Sequence, residues 1–595
     1  MRGRQVRNDI KTAQTESKEE IKISEPGINL HPNLQISRDR ETRGFLILGS
    51  IGGGKTQIIN YVVNQILSRG DKALIFDNKG DFTSGLLDQP GVRLIAPWDS
   101  RSLAWDVAKD CTTKADAAEL AARLIPESSD PTWSNGARQI LAAMIVHAQS
   151  NTPGEWSFAD IAATASKEYE QLREICLAAD PKLALLLPEK PTKTTQSFLS
   201  QLIVFMGQVF SLADAWSDCG HGGPVQKFSL RNWLLNPQAQ EQQTKILLMQ
   251  SHGRYQKLAQ AYIQSLISAL ASIVNSPDLP DSRKRRLWLV LDEFPQLGKV
   301  ESIEKFVEIG RSKGVRTLLA TQDINQVRSI YSHEFANALS SMVGTVIACR
   351  TQGAETPQWL SSLIGERQVK RYSPTFSAPV SGLGGYAAVP QRTDNWLTTT
   401  EPVVAPNEFA MLGPNKNGVQ ALLLTGGEFV FKLIWPFSKL PGDNAPTDPA
   451  PWTQPGWPNA ADKAAENIAQ LDIDVDTNNP KPKTAAQPQN EPQHKKTEPR
   501  EHAEEFFDML PVEAEANEEK KEESLFDKSA EEALGEIAEN IAPEPIGTVL
   551  QVVDLVDKIQ DAKTTAEPTT PAPIHIKKRL KRKKREHEHE QQNEQ

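Results

Sequence analysis

The chain has 595 residues and a formal net charge of −10, a length that allows three or four domains if all of it folds. Apolar residues make up 38% of it, fewer than in ordinary globular domains. Residues 437–595 hold 33 of the 76 acidic side chains but only 20 of the 66 basic ones, so the chain before them is nearly neutral. This composition argues against a uniformly folded chain and indicates a large folded part followed by an acidic tail.

The cysteines and the apolar runs argue against a secreted or membrane-spanning protein. The four cysteines form no CxxC pair and have no His cluster nearby, which fits a reducing compartment and gives no zinc site. The longest unbroken apolar run, residues 140–146, is far shorter than the ~20 residues that a membrane span needs. No apolar stretch follows the basic amino terminus, so no secretory signal is predicted. We expect no transmembrane segment and a location on the cytoplasmic side.

Strand-like and helix-like segments alternate along most of the chain. Residues 1–40 are polar and are interpreted as a lead-in. They are followed by a strand at 44–48, a helix at 57–68 and a strand at 72–77, which together form a βαβ unit. Further strands are predicted at 92–96, 245–249, 287–291, 316–320, 345–348, 419–424 and 429–434. The alternation predicts an α/β fold whose mostly parallel sheet is covered by helices on both faces.

The region 114–228 interrupts this alternation, because it contains no convincing strand. Its Ala-, Leu- and Ile-rich stretches are helical in character, at 115–124, 137–148 and 195–210. We interpret it as an all-helical insertion that divides the α/β domain into residues 41–113 and 229–436.

The tail, residues 437–595, is rich in Pro, Ala, Glu, Gln and Asn and is predicted to be disordered. Two segments, 504–510 and 549–559, have apolar residues that could line one face of a helix on a partner. Residues 577–585 hold eight cations in nine positions. This run either binds nucleic acid or anionic lipid, or offsets the acidic residues before it.

The chemistry-bearing motif lies between the first predicted strand and helix. The sequence matches GxxxxGK[ST] at Gly49, Ser50, Ile51, Gly52, Gly53, Gly54, Lys55 and Thr56. The glycines let backbone amides curl around a phosphate, and the helix amino terminus favours its negative charge. Lys55 is expected to contact the β- and γ-phosphates, and the Thr56 hydroxyl to bind Mg²⁺. A glycine-rich turn without this role is the alternative.

A second motif is the acidic pair that ends the predicted strand at 287–291. Asp292, at the strand end, is expected to bind Mg²⁺, whereas Glu293 is placed to orient and deprotonate a water molecule. The pair favours hydrolysis over phosphate transfer by a small-molecule kinase. The alternative is that both carboxylates merely cap the following helix.

Two further polar residues stand near the ends of the strand at 316–320. Gln322 follows that strand and is interpreted as a sensor of the γ-phosphate, with a helix cap as the alternative. Arg311 precedes the strand and is either a guanidinium that reaches a phosphate in a neighbouring subunit or a solvated surface arginine.

These residues resemble a family, the conjugative type IV coupling proteins of the TraD and TrwB kind. The resemblance covers about residues 30–435. The segments that carry it are 43–56, 69–71, 76–82, 105–106, 130–133, 291–295, 310–311 and 321–322. It implies a RecA-like P-loop domain with an all-helical insertion, a homo-hexameric ring, and ATP-driven delivery of relaxase-bound single-stranded DNA to a type IV secretion channel.

The resemblance also implies roles and partners. Lys55 and Thr56 would bind ATP and Mg²⁺, Asp292 and Glu293 would serve Mg²⁺ binding and hydrolysis, Arg311 would act in trans and Gln322 as the sensor. Family members usually begin with two transmembrane helices, and this chain starts where such an anchor would have ended. We therefore expect it at the cytoplasmic face of the inner membrane, tethered through a missing start or a separate membrane subunit. The tail at 500–560 is the hypothesised docking segment for a relaxosome accessory protein.

Charge supports the DNA-binding role only weakly. Candidate DNA-contacting cations are Lys190, Lys193, Lys227, Arg231, Arg367, Lys370 and Arg371. No base-reading motif is present, so sequence-independent binding is expected. Two other functions stay open: a double-stranded DNA pump of the FtsK or HerA kind, and a nucleotide-gated substrate adaptor that does not translocate.

Overall fold

An eleven-stranded sheet organises the part of the chain that the computed structural model describes, residues 3–128, 130–377, 391–455 and 457. The strands of the protein are β1 Gln5–Arg7, β2 Pro26–His31, β3 Leu34–Ser37, β4 Phe45–Leu48, β5 Lys72–Asp77, β6 Val92–Ile95, β7 Ala104–Trp105, β8 Lys227–Phe228, β9 Ile246–Gln250, β10 Leu287–Leu291, β11 Val315–Thr321, β12 Thr345–Ala348, β13 Glu366–Ser377, β14 Gln391–Pro402, β15 Gly413–Asn415, β16 Gly418–Leu424 and β17 Phe429–Trp435.

The large sheet has the order β1-β17-β16-β12-β4-β11-β10-β5-β9-β6, with β15 paired to β16. The run from β12 to β6 is parallel, whereas β16 pairs antiparallel with both β12 and β17. Every residue of β4, β10 and β11 is buried, as expected for parallel strands covered on both faces. The parallel order brings the carboxyl ends of β12, β4, β11, β10 and β5 to one edge of the sheet.

Helices fill the connections between these strands. They are α1 Ile10–Ile23, α2 Arg38–Glu41, α3 Lys55–Arg69, α4 Asp81–Leu86, α5 Val107–Asp110, α6 Lys114–Leu124, α7 Pro131–Asn151, α8 Phe158–Ala165, α9 Tyr169–Ala179, α10 Lys193–Ala215, α11 Asp218–His221, α12 Leu230–Leu235, α13 Gln256–Asn275, α14 Ser302–Lys313, α15 Ile324–Ile330, α16 His333–Met342 and α17 Glu355–Ile364. The predicted strands and helices are confirmed, and most of their ends shift by only a few residues.

The two ends of the helical region meet beside the sheet domain, and α6 also packs against α13, with Arg123 paired to Glu301 at 3.2 Å. Between α6 and α11 the described residues form helices and no strand. The short strands β7 and β8, on either side of this region, pair in parallel. Beside them the buried Asp110 carboxylate accepts hydrogen bonds from Trp105 Nε1 at 2.7 Å, Ser229 Oγ at 2.7 Å, and the Leu230 and Arg231 backbone N–H groups at 2.9 and 2.8 Å. The chain therefore enters and leaves the helical region at neighbouring points, which β7, β8 and the Asp110 hydrogen bonds hold together.

The first 40 residues differ from the predicted lead-in, because most of them are folded onto the sheet. Strand β1 pairs with β17 at the sheet edge, and β2 and β3 form a hairpin. The hairpin buries Ile28, Leu30, Leu34 and Ile36. These residues alternate with polar ones, which is the pattern of a half-buried strand, although the average composition of the segment is polar.

The predicted start of the tail at residue 437 also lies too early. Residues 437–455 run along the sheet domain, where the Asn444 N–H donates to Ser84 O at 2.8 Å and the Ala450 N–H to Trp98 O at 2.8 Å. The predictions for 504–510, 549–559 and 577–585 fall outside the described residues.

The expectation that no segment is apolar enough to cross a membrane is wrong for two helices. By length and composition Lys193–Ala215 and Gly253–Asn275 both qualify, with mean hydropathies of 1.4 and 1.2. Neither helix is an unbroken apolar run, because both reach these averages with polar residues interspersed. In their most apolar windows 44% and 67% of the residues are buried within the protein, and core helices pass the same test.

Candidate nucleotide-binding site

The loop between β4 and α3 forms a tight backbone cradle. Gly52 and Gly54 adopt positive φ angles of 68° and 100°, which favour glycine. A Cβ on Gly53 would lie 2.7 Å from Arg350 O and 2.8 Å from Ser50 O, so no side chain fits there. Helix α3 starts at Lys55, directly after the loop. A glycine loop that leads straight into the positive end of a fifteen-residue helix suits a phosphate group.

Lys55, Glu293 and Gln322, far apart in the sequence, meet beside this loop. The Lys55 Nζ atom donates to Glu293 Oε2 at 3.0 Å, and the Gln322 backbone N–H donates to Glu293 Oε1 at 3.0 Å. The side chains of Lys55 and Glu293 are only 8% and 5% exposed. The contact of Gln322 is made by its backbone, whereas the sequence suggested a role for its side-chain amide. A buried charge pair of this kind is strongly oriented, because few other partners compete for either group.

The backbone of Glu293 is strained. Its φ angle is 63°, in the left-handed region that costs a residue with a Cβ about 1–3 kcal/mol. The conformation turns the chain sharply at the end of β10, so that Glu293 points to Lys55 while Asp292 precedes it. Strain of this kind is retained mostly where the surrounding structure fixes a functional geometry.

Asp292 and Thr56 carry a carboxylate and a hydroxyl, and oxygen atoms are the ligands that a magnesium ion prefers. Burial raises the pKa of Asp292 to about 6; the Lys55 ammonium acts against this rise, and the Glu293 carboxylate adds to it. Among the described residues no group of three or more His, Cys, Asp or Glu side chains could hold a metal ion. Mg²⁺ usually takes one or two protein ligands and completes its shell with water and phosphate oxygens.

The turn after β5 is fixed by a buried carboxylate. Asp77 accepts hydrogen bonds from the Gly80 N–H at 2.8 Å, and from the Thr83 N–H and Oγ1 at 2.7 Å each. The Oγ1 atom of Thr83 in turn accepts from Gln250 Nε2 at 3.1 Å. The loop after β5 therefore has one fixed shape at the carboxyl edge of the sheet.

Arg350 is a residue of this site that the sequence did not reveal. It follows β12, whose neighbour is β4, and its carbonyl oxygen accepts from the Ser50 N–H at 2.8 Å. Its guanidinium donates through Nη2 to Gly52 O at 3.0 Å. A polar residue after a strand is the only sequence signal, and it gains meaning only once β12 is known to lie beside β4.

Arg311 lies away from the other predicted residues. It is in the last turn of α14, just before β11 begins, whereas the phosphate loop follows the end of β4. Because β4 and β11 are parallel, Arg311 and Lys55 lie at opposite edges of the sheet. Its role in trans therefore remains a prediction about a neighbouring subunit.

Several of the candidate DNA-contacting cations pair with acidic side chains. Arg231 donates to Asp278 at 2.7 Å, and Arg367 and Arg371 share Glu401 at 3.0 and 2.7 Å. The last two lie on the ribbon of β13 and β14, which exposes Trp396. These pairs reduce the positive charge that the ribbon offers to a polyanion.

The family assignment follows from comparison with known proteins. The model for the type IV secretion-system coupling protein DNA-binding domain matches residues 29–425, about two thirds of the chain. The chain belongs to the type IV secretion-system coupling proteins. The predicted family resemblance is thereby confirmed.

Curated relatives of this coupling protein come from Escherichia coli. It is 26% identical over 378 residues to the coupling protein TraD of strain K12, and 29% identical over 157 residues to a conjugal transfer protein TraG. The matches cover 63% and 26% of the coupling protein. They span only 50% of TraD and 24% of TraG, so the coupling protein covers half or less of these relatives.

Solved structures show the same fold. The plasmid coupling protein TrwB in complex with ADP and Mg²⁺ has a TM-score of 0.58 at 19% identity, covering 75% of this coupling protein and 96% of that chain. TrwB in complex with a non-hydrolysable ATP analogue gives 0.56 at 20% identity, covering 76% and 97%. The likeness confirms the α/β fold class with its mostly parallel sheet, and a RecA-like P-loop domain is consistent with it.

Proposed function

We propose that this coupling protein is an ATPase motor that moves relaxase-bound single-stranded DNA to a type IV secretion channel. The observation that carries the proposal is the buried contact of Glu293 with both the Lys55 ammonium and the Gln322 N–H, beside the cradle of the glycine-rich loop. The nucleotides that the TrwB structures contain support ATP and Mg²⁺ as the ligands of this cradle. The relatives' names support a role in conjugation.

Each residue of the site has a task in this proposal. Lys55 and the loop amides would bind the phosphates, and Thr56 and Asp292 would hold Mg²⁺, which when bound would neutralise charge on the phosphate oxygens. Glu293 accepts a proton from the attacking water, and the Gln322 N–H keeps that carboxylate in place. Because Gln322 directly follows β11, a movement of the Glu293 carboxylate would also move the backbone at the end of this central strand. Arg311 completes the site of a neighbouring subunit in a homo-hexameric ring.

The partners follow from the same proposal. A relaxase, a relaxosome accessory protein and the secretion channel would meet the ring at the cytoplasmic face of the inner membrane, with a membrane subunit as a possible tether. The single-stranded DNA is bound without sequence preference, through its backbone phosphates and through stacking of its bases. Stimulation of hydrolysis by single-stranded rather than double-stranded DNA is the measurement that separates this motor from a double-stranded DNA pump.

Lys55→Ala tests whether hydrolysis and transfer are coupled. We expect the variant to lose ATP turnover and conjugative DNA transfer together, because the ammonium that holds both the phosphates and Glu293 is gone. ATP hydrolysis by the full chain and mating efficiency in cells are the two measurements. Lys22→Ala is the matched control, since that lysine is exposed and pairs only with Glu19 among the described residues. Transfer that survives without hydrolysis would instead favour the nucleotide-gated adaptor.

Proton competition at Asp292 predicts a magnesium requirement that depends on pH. Because the pKa of Asp292 is about 6, protons displace Mg²⁺ from this carboxylate as the pH falls below that value. We expect the Mg²⁺ concentration for half-maximal turnover to rise about tenfold between pH 7 and pH 5, with excess Mg²⁺ restoring much of the rate. Magnesium titrations of ATP hydrolysis at several pH values measure this. A half-saturating Mg²⁺ concentration that stays constant over this range would contradict the assignment of Asp292.

A further inference from the structure

One carboxylate, Asp39 of α2, holds the guanidinium of Arg311. Asp39 Oδ1 accepts from Arg311 Nη2 at 2.7 Å, while Oδ2 accepts from Arg43 Nη2 at 2.6 Å and Nε at 3.1 Å. A third guanidinium, that of Arg283, lies 3.9 Å from Oδ1. The side chain of Asp39 is 27% exposed and that of Arg311 is 41% exposed. Arg311 is thus oriented by a partner and still accessible from outside.

The surroundings of Asp39 carry an excess of positive charge. Three arginines share this one carboxylate. Arg38, Arg40 and Lys284 line the same cleft, where Glu25 and Glu20 pair with Arg38 and Arg40, so that cations still outnumber carboxylates. Burial acts to raise the pKa of Asp39, but the hydrogen bonds from Arg311 and Arg43 outweigh it and hold the pKa below its usual range. The carboxylate is therefore ionised at neutral pH, and the cluster keeps a net positive charge that suits an incoming polyphosphate.

The place of this cluster determines which phosphate it can meet. Asp39 precedes β4 and Arg311 precedes β11, so both lie at the amino edge of two parallel strands. The phosphate loop of the same chain lies at the carboxyl edge, beyond Leu48. The length of a strand and the body of the sheet therefore separate the cluster from its own loop.

We propose that Asp39 is a positioning residue for hydrolysis, which orients Arg311 toward the triphosphate bound by the neighbouring subunit. The inference rests on the proposed function. It adds to the site a residue, Asp39, that lies ten positions before the phosphate loop. Without Asp39, the guanidinium groups of Arg311 and Arg43 repel one another, and the Arg311 side chain loses the only ion pair that it makes among the described residues. Small displacements of a catalytic group lower rates strongly, because the transition state is stabilised only in one geometry.

Mixed rings test the proposal with full-length chains. Asp39→Ala alone should lower turnover at least tenfold with little change in the KM for ATP, since its own loop is intact. Lys55→Ala alone should be inactive. When the two are mixed, an intact loop of the Asp39→Ala chain can face an intact Arg311 of the Lys55→Ala chain. We expect about a quarter of wild-type turnover to return if the chains mix evenly and the sites act independently.

Two further mixtures and two single variants separate the possible failures. Turnover should recover in the same way when Arg311→Ala is mixed with Lys55→Ala. It should not recover when Arg311→Ala is mixed with Asp39→Ala, because neither of these chains presents an oriented Arg311 to its neighbour. Glu19→Ala should leave turnover unchanged, since Glu19 does not line this cleft, is 64% exposed and pairs with Lys22. Asp39→Glu should restore part of the rate and guards against a folding defect in Asp39→Ala.

The outcomes are distinguishable. Recovery with Arg311→Ala but not with Asp39→Ala would overturn the role of Asp39 and leave the proposed motor intact. If turnover recovers in neither mixture with Lys55→Ala, Arg311 does not act in trans and the inference is wrong. Full turnover by Lys55→Ala alone would overturn the proposed function itself.

Discussion

Replacing Glu293 by Gln is expected to lower ATP turnover by about 10²- to 10⁴-fold while ATP still binds. Gln keeps the size of the side chain and an oxygen that accepts from the Gln322 N–H, so the backbone geometry at this position is preserved. It removes the base that takes a proton from water. It also releases Lys55 from its 3.0 Å ion pair, which leaves the ammonium free for the phosphates. Binding is therefore expected to be unchanged or tighter.

The measurement is steady-state hydrolysis beside equilibrium binding of a fluorescent ATP analogue, on the full chain in both cases. Glu301→Gln is the matched control, because Glu301 lies on the same segment with its side chain 61% exposed. It should change neither quantity. If Glu293→Gln hydrolyses ATP within a few-fold of the unaltered chain, the base is another group and Glu293 only holds Lys55.

What could be predicted from the sequence is what neighbouring residues encode. The run from Gly49 to Thr56 is contiguous, and its flanking strand and helix are visible in the apolar pattern. Asp292 and Glu293 likewise follow one buried strand. Each of these motifs was found because its chemistry and its local structure lie within about ten residues.

The rest depends on which strands are neighbours, and periodicity carries no such information. Glu293 reaches the Gln322 backbone because β10 lies beside β11, and Arg350 reaches the phosphate loop because β12 lies beside β4. The sequence does not reveal the partner of Arg311 for the same reason, since Asp39 lies in a segment that its polarity marks as a lead-in. The average polarity of that segment suggests a solvated lead-in, whereas several of its charged residues form ion pairs within the fold.

Glu41→Ala is expected to destabilise the protein by about 3–5 kcal/mol, because it leaves a buried cation without its counter-charge. Glu41 and Arg316 are both fully buried, and Arg316 Nε donates to Glu41 Oε1. Glu41 also accepts from Arg69 at 3.0 and 3.2 Å and from the Ile28 N–H at 2.6 Å. One side chain therefore joins the amino-terminal hairpin, α3 and the central strand β11.

Denaturant unfolding of the full chain at pH 7 measures this loss, and Glu41→Gln gives a milder second variant if the alanine variant does not fold. Burial acts to raise the pKa of Glu41, but Arg69 and Arg316 outweigh it and hold the pKa below its usual value. A lowered pKa means that the ionised pair stabilises the fold above the unfolded-state pKa and ceases to do so as the pH falls through the folded-state pKa. The difference between the variant and the unaltered chain should thus shrink in acid.

The exposed pair of Glu19 and Lys22 in the same amino-terminal segment provides the comparison. Glu19→Ala should change the free energy of unfolding by less than about 1 kcal/mol, because water replaces an exposed carboxylate at little cost. Equal effects of the two substitutions would mean that the amino-terminal segment unfolds separately from the sheet. A large loss confined to Glu41→Ala would instead mean that residues before the phosphate loop belong to the cooperative core, as an orienting role for the adjacent Asp39 requires.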